Sequence, residues 1–216
     1  MMRWRIPLWT GVLLVAGCAQ TTQERAQELG MDGNHLYRQG AYAEARDQYQ
    51  AALAMQPQSV DLLFRLASCQ DKLGKKQEAE EAYRRVLQQD PNHLAARHAL
   101  VLRQIESGQR EQAVRSVEDW LRASPGNAGP YIEDGWLRAQ QGDLDSARGR
   151  FQQALQIDAC NPRALEELGR IYERLDRPDR AIVLYERSLA SDPEQPSLRT
   201  HLEQLRGRGI TRPRPD

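Results

Sequence analysis

Reactive side chains are scarce in this chain. Three cysteines and four histidines are spread over 216 residues, and none falls into a ligand or nucleophile pattern. No Cys-x-x-Cys pair, phosphate-cradling glycine loop or Gly-x-Ser-x-Gly elbow occurs. His93 and His98 stand five residues apart, which does not put both on one helical face as a His-x-x-x-His pair would, and His35 and His201 stand alone. Asp32-Gly33-Asn34 and Asp143-Leu144-Asp145 lack the acidic continuation of a calcium loop. These absences point away from an enzyme, and no metal or cofactor is expected.

An excess of charge is missing as well. Thirty basic residues face thirty acidic ones, so the basic face that a nucleic-acid partner demands has no basis in the composition. A bilayer-spanning run is absent too. The apolar stretch 6–16, broken by Thr10 and Gly11, is shorter than the roughly 20 residues needed to cross the hydrocarbon core. A disulfide within the chain is not expected either. Cys69 and Cys160 lie 91 residues apart, while a bridge needs Cα atoms within about 7 Å. Cys69 reads as a small core residue; Cys160 reads as a loop thiol, free or bridged to another molecule.

What the chain does contain is a period. The same pattern returns every 34 residues, five times without an insertion, across 26–195. One column is alanine throughout: Ala45, Ala79, Ala113, Ala147 and Ala181. Another is leucine throughout: Leu53, Leu87, Leu121, Leu155 and Leu189. A small column runs Gly33, Ala67, Val101, Gly135, Gly169, and a bulky one runs Tyr49, Tyr83, Val117, Phe151, Tyr185. Gly40, Gly74, Gly108, Gly142 and then Asp176 mark a turn, and Pro57, Pro91, Pro125, Ala159 and Pro193 close each unit. Glycine at the turn accepts a positive φ and ends one helix so that another can begin. Proline cannot continue a helix, so each unit stops there. Ala45, Tyr49, Ala52 and Leu53 fall on one stripe of an amphipathic helix. A fixed period in this range means a stack of units, each burying its apolar face against its neighbours.

Helix, turn, helix and stop at this interval resembles the tetratricopeptide repeat, over 170 of the 216 residues. The resemblance implies an all-α, right-handed α-solenoid of five 34-residue helix-turn-helix repeats at 26–59, 60–93, 94–127, 128–161 and 162–195. Arg97 and Arg138 stand where the family usually buries an apolar group, which predicts looser packing in the third and fourth repeats. Ala159 replaces a closing proline, and Asn161 with Pro162 takes over as N-cap and first turn. Residues 196–206, with Leu198, Leu202 and Leu205 on one face, read as a capping helix with a polar outer side. Residues 207–216 read as a disordered tail.

The beginning of the chain carries a second resemblance. Arg3 and Arg5, a short apolar run and small residues at its end match a secretory signal peptide over 1–17. Val15-Ala16-Gly17-Cys18 is similar to the lipobox of bacterial lipoproteins. That resemblance implies cleavage before Cys18, lipid on its thiol, and a tether at 18–25 that holds the repeats near a membrane of the cell envelope. Two acyl chains suffice for stable anchoring where one does not. Ala19 after the cysteine favours the outer membrane, facing the periplasm, if the cell is Gram-negative.

In the repeat family the first helix of each unit lines a concave groove for a partner segment. Carried over by position, the groove residues include Asn34, Phe64, Leu102, Ile105, Ile132, Trp136 and Arg170. Members of the family that clamp a C-terminal carboxylate use lysine, asparagine and arginine there. Asn34 is the sole match in the first repeat, so that function is not implied. Phe64, Leu102, Ile105, Ile132 and Trp136 instead suggest an apolar stretch with a charged border, and Trp136 is the expected anchor. The expectation is a membrane-anchored scaffold that binds an apolar or amphipathic segment of an envelope protein. Two alternatives stay open: a self-associating homo-oligomeric spacer, and an adaptor that localises a cell-wall enzyme.

Overall fold

The computed structural model describes residues 10–211, with side chains described from Thr22 onward. The signal-peptide residues through Trp9, the side chain of Cys18, and the end of the basic tail with Arg212 and Arg214 lie outside the described residues. Among the described residues there are eleven helices and no strand. They fall into two compact units, Met1–Leu100 and Val101–Asp216.

In the first unit, α1 (Thr10–Arg38) packs on α2 (Tyr42–Met55), and α3 (Val60–Lys72) packs on α4 (Lys76–Gln89). α2 also packs on α3, which joins the two pairs into a stack. α5 (Leu94–Glu106) runs through the unit boundary, and its residues through Leu100 share the first unit's core. The second unit continues with α6 (Arg110–Ala123), α7 (Ala128–Gln140), α8 (Leu144–Ile157), α9 (Pro162–Arg174), α10 (Pro178–Ser191) and α11 (Pro196–Gly207). There α7 pairs with α8 and α9 with α10, while α11 covers α10 as the expected cap. Each unit is thus a solenoid segment of helix-turn-helix pairs. Residues 18–25 form part of α1 and are helical.

Local chemistry sets the boundaries. At the turns Gly40, Gly74, Gly108 and Gly142 take φ of 79°, 75°, 75° and 84°, and Asp176 takes 56°. This is the left-handed region, where glycine carries no Cβ penalty and Asp is tolerated. The backbone then closes each first helix with one recurring bond. The N–H three residues past the helix reaches back to a carbonyl in the last turn: Ala41 to Leu36, Lys75 to Gln70, Gln109 to Gln104, Asp143 to Arg138 and Arg177 to Tyr172, at 2.7–3.1 Å. The starts are capped where the sequence permits. Ser59 accepts from the Leu62 N–H at 3.3 Å and Asn161 from the Ala164 N–H at 3.0 Å, with Pro162 in the first turn of α9.

The core is the column pattern made solid. All five column alanines are fully buried, which places the partner helix too close for any larger side chain. The ring of each pair lies over the small residue. A Cβ added at Gly33 would sit 2.6 Å from the Tyr49 ring, at Gly135 2.9 Å from Phe151, and at Gly169 2.4 Å from Tyr185. In the third repeat the same space is shared by Val101 and Val117, which belong to one buried cluster.

The two arginines that stand at usually apolar places each find a polar partner. Arg97 Nε donates to the Pro91 carbonyl at 2.7 Å, so its head group closes the preceding loop while its stem stays half-buried. The same column places the Tyr131 hydroxyl on the Pro125 carbonyl at 3.2 Å and Arg199 on the Pro193 carbonyl at 2.8 Å. In the remaining repeats it holds Leu29, Leu63 and Leu165, all buried. Arg138 Nε donates to Asp134 at 3.0 Å on its own helix.

Gly169→Val should destabilise the protein by about 1–3 kcal/mol, since the buried Tyr185 ring cannot yield. Urea unfolding should show a lowered midpoint. Combined with Tyr185→Val, which copies the Val101–Val117 pairing, the cost should fall short of the two single costs added by about 1 kcal/mol or more. Strict additivity would mean that the ring does not rest on the glycine.

Cys69 is fully buried in the α1–α3 core, and burial pushes its thiol pKa up to about 11, while Cys160 is exposed. The thiolate is the reactive form. In the Cys18→Ser protein at pH 8, a colorimetric disulfide reagent should therefore titrate Cys160 in the folded chain and Cys69 only after denaturation. Fast reaction of both thiols in the folded protein would contradict this packing.

Candidate functional site

The face presented by the first helices of each pair carries the polar and aromatic groups that the core does not use. In the first unit these come from α1 and α3. The Asn34 side-chain carbonyl accepts from the Tyr49 hydroxyl at 2.8 Å and from Arg65 Nη1 at 2.7 Å. Arg65 also donates from Nε to Asp61 at 2.7 Å. Burial alone would lower the Arg65 pKa, but the Asp61 carboxylate outweighs it and the net shift is upward. Asn34 thus has its oxygen committed to two donors, which holds its side chain in place.

Two cavities flank Arg65. One, of about 330 Å³, is lined by Ala26, Gln27, Gly30, Met31 and Asn34 of α1, by Asp61, Leu62 and Arg65 of α3, and by Gln56 and Ser59 of the intervening loop. The other, of about 220 Å³, is walled by Tyr37, Tyr49, Phe64, Arg65 and Ser68. Phe64 is half-buried, with its ring 5.8 Å from Tyr83 and 4.7 Å from His93. The Tyr83 hydroxyl reaches Ser68 at 3.5 Å. Burial raises the pKa of both Tyr49 and Tyr83, so each stays a neutral donor. The arrangement offers a ring-lined slot for one side chain beside a polar recess with an amide, a guanidinium and a carboxylate.

In the second unit the expected apolar stretch is partly core. Ile132 is 0% exposed, so it is corrected from a binding residue to a packing residue. Trp136 and Ile105 are half-buried and pack against the cluster of Val101, Ala113, Val117 and Leu137. The reason is the ring column. Where the second helix supplies Tyr, the first helix supplies a polar neighbour such as Asn34 or Ser68; where it supplies Val117 or Phe151, no hydroxyl needs a partner, and Leu102 and Trp136 occupy those places. Leu102 is half-buried as well.

A further cavity of about 380 Å³ lies between α9 and α11, lined by Glu166, Arg170, Glu173, Arg174, Tyr185, Ser197, Leu198 and His201. Arg170 pairs with Glu166 at 2.6 Å and is exposed. One oxygen of Glu173 accepts from both the Tyr185 hydroxyl and His201 Nε2, the latter at 2.9 Å. Burial and the Glu173 carboxylate together push the Tyr185 pKa far up. Arg174 donates to the Ala139 carbonyl at 2.9 Å. Sequence reasoning put Arg170 in the groove but missed the Glu173–Tyr185–His201 contact, because its members come from three helices. It also missed Glu133, fully buried and 3.1 Å from Arg163, and Asp134, 2.6 Å from Arg150. A buried carboxylate of this kind must be paired to persist. The fifteen-residue spacing of Asn34 to Tyr49 and Ser68 to Tyr83 is the one signal that sequence could have offered.

Among the described residues no group of three or more His, Cys, Asp and Glu could hold a metal, and no helix is long and apolar enough to cross a membrane.

Comparison with known proteins agrees with this architecture. One tetratricopeptide repeat model matches residues 31–93, and a second matches 77–131 and 138–205. Cellulose synthase operon protein C of Pseudomonas fluorescens is 30% identical over 167 residues, which is 74% of this chain and 13% of that protein. Protein O-mannosyl-transferase TMTC1 of Homo sapiens is 26% identical over 185 residues, 84% of this chain and 21% of that protein. The chain therefore spans a minor part of either relative. A thermophilic tetratricopeptide repeat protein of Thermus thermophilus has a solved structure 28% identical, with a TM-score of 0.59 over 83% of this chain and 97% of that one. The Cut9–Hcn1 hetero-tetramer of the APC/C, at 18% identity and a TM-score of 0.56 over 86% of this chain and 37% of that one, shares the fold.

Trp136→Ala should destabilise the protein by about 2 kcal/mol, part of the 3–5 kcal/mol typical of a fully buried tryptophan. Denaturant unfolding followed by circular dichroism measures it. Unchanged stability would free the ring from the Val117–Leu137 cluster and return it to the surface.

Proposed function

The chain belongs to the tetratricopeptide repeat family, whose members are protein-interaction scaffolds, and from that premise we propose that it is a non-enzymatic scaffold anchored to a membrane of the bacterial cell envelope. The anchor is lipid on Cys18, supported by Val15-Ala16-Gly17-Cys18 at the end of a short apolar run. The scaffold binds an extended segment of another envelope protein along its first helices.

The observation that carries the binding reading is the α1–α3 face. A slot of about 220 Å³ between Tyr37, Tyr49 and Phe64 suits one apolar side chain. The adjoining recess of about 330 Å³ suits the polar backbone that follows, with Asn34 and Arg65 already held in place by bonds within the protein. Pre-set donors lose little side-chain freedom on binding, which favours recognition over non-specific adhesion. The bound segment is amphipathic: apolar at the slot, polar at the recess. Arg170 and the α9–α11 cavity offer a second contact region within the other unit.

Cys18→Ser should leave the repeats folded and abolish incorporation of a palmitate analogue; equal labelling of the variant would end the lipoprotein reading. A photo-crosslinking residue at Ser68, introduced in the lipidated full chain in its native envelope, should give a discrete protein adduct. Phe64→Ala should reduce that adduct severalfold, as expected for loss of an anchor contact. The same crosslinker at Arg148 should not give it. An identical adduct from both positions, insensitive to Phe64→Ala, would remove the α1–α3 face from consideration.

A further inference from the structure

The helical continuity of α1 constrains which part of the first unit can face the lipid. Ala26, in the first turns of the repeat, is the earliest described core residue and is fully buried. It lies eight residues after Cys18, and the backbone between them is helical. At about 1.5 Å of rise per residue this segment is about 12 Å long, against about 28 Å if it were extended. The cavity lining places Gln56 and Ser59 of the α2–α3 loop beside Ala26 and Gln27. That loop is therefore at the same end of the unit as the anchor. The turns at Gly40 and Gly74 are at the far end, since α1 runs on beyond Ala26 to Arg38 before the turn at Gly40.

The α2–α3 loop and the α3–α4 turn differ in charge in the same sense, with Arg25 and Glu28 of α1 neutralising each other at 2.5 Å at the loop's end of the unit. Residues 56–59 are Gln-Pro-Gln-Ser, without charge, and Met55 beside them is 39% exposed. Met31, which lines the same recess, is 63% exposed. The far end carries Lys72, Lys75 and Lys76 around Gly74, with Lys75 paired to Glu78 at 3.1 Å. A lysine cluster is what an anionic membrane surface attracts, but it sits at the end that the short helical anchor holds away from the bilayer. An uncharged amide-rich edge with exposed methionine suits the neutral interfacial region.

We infer that the uncharged α2–α3 loop edge of the first unit rests toward the lipid surface and that the lysine-bearing turn points away from it. The inference rests on the lipid anchor proposed for Cys18. It makes the recess between α1 and α3 membrane-proximal, so a segment bound there comes from close to the surface of the same membrane.

The test uses the lipidated full chain carrying Cys160→Ser, with a fluorophore on either Gln58→Cys or Lys75→Cys. Each protein is reconstituted into phosphatidylcholine vesicles containing head-group nitroxide lipid, after mass spectrometry has established acylation of Cys18. Quenching at position 58 should exceed that at position 75 by at least twofold. Adding anionic phosphatidylglycerol should not reverse the order, and inserting six Gly/Ser residues after Thr22 should erase the difference. Equal or reversed quenching in acylated protein would overturn the orientation while leaving the anchor intact. Absence of acyl mass on Cys18 would overturn the anchor and the orientation together. Loss of quenching at position 58 on adding excess unlipidated chain would assign the edge to a second copy instead.

Discussion

One contact organises each helix pair: a bulky side chain on the second helix seated over a residue with little or no side chain on the first. Gly33 under Tyr49, Gly135 under Phe151 and Gly169 under Tyr185 leave no room for a Cβ at van der Waals distance. The close approach in turn forces alanine into the facing column, because the helices are too near for anything larger. Where Val101 and Val117 replace the glycine–ring combination, the volume is redistributed and the helices still meet. Conserving volume across the pair is the cheaper route to a filled interior.

That buried contact also writes the chemistry of the outer face. A tyrosine ring brings a hydroxyl that must find a partner once it leaves water. Tyr49 finds Asn34, Tyr83 finds Ser68 and Tyr185 finds Glu173, each on the first helix. Val117 and Phe151 make no such demand, and the half-buried Leu102 and Trp136 stand there, Trp136 packed on the Val101–Val117 cluster. The polar groups available to a partner in the first unit are therefore positioned from beneath by the core.

This explains what was legible in the sequence and what was not. The alanine, turn-glycine and closing columns could be read directly, because each depends on backbone geometry within a few residues or on one repeated contact. The caps at Ser59 and Asn161 are local in the same way. The site was legible in position but not in character. Of the groove places carried over by spacing, Asn34 and Phe64 line cavities, whereas Ile132 is fully buried and Trp136 half-buried. Whether an apolar side chain on a first helix faces solvent or the preceding pair depends on its neighbour's ring, as Trp136 on Val117 and Leu137 illustrates. Arg97 shows how a charge is accommodated at a place that other repeats fill with leucine. Its long side chain half-buries the stem and carries the head to the Pro91 carbonyl.

Magnitudes limit what the α1–α3 face can do alone. Burying one apolar side chain in the ring-lined slot contributes about 1.5–3 kcal/mol, and a hydrogen bond to Asn34 or Arg65 adds about 0.5–3 kcal/mol. Micromolar affinity needs about 8 kcal/mol after the cost of association is met. One anchor and a few bonds fall short of that for a partner free in solution. A partner held in the same membrane is a different case, because confinement near the scaffold acts as a raised effective concentration and replaces part of the missing contact energy. Under the proposed anchoring, a shallow recess beside a short helical tether is a workable binding site, whereas the same recess on an untethered chain would need a much larger interface.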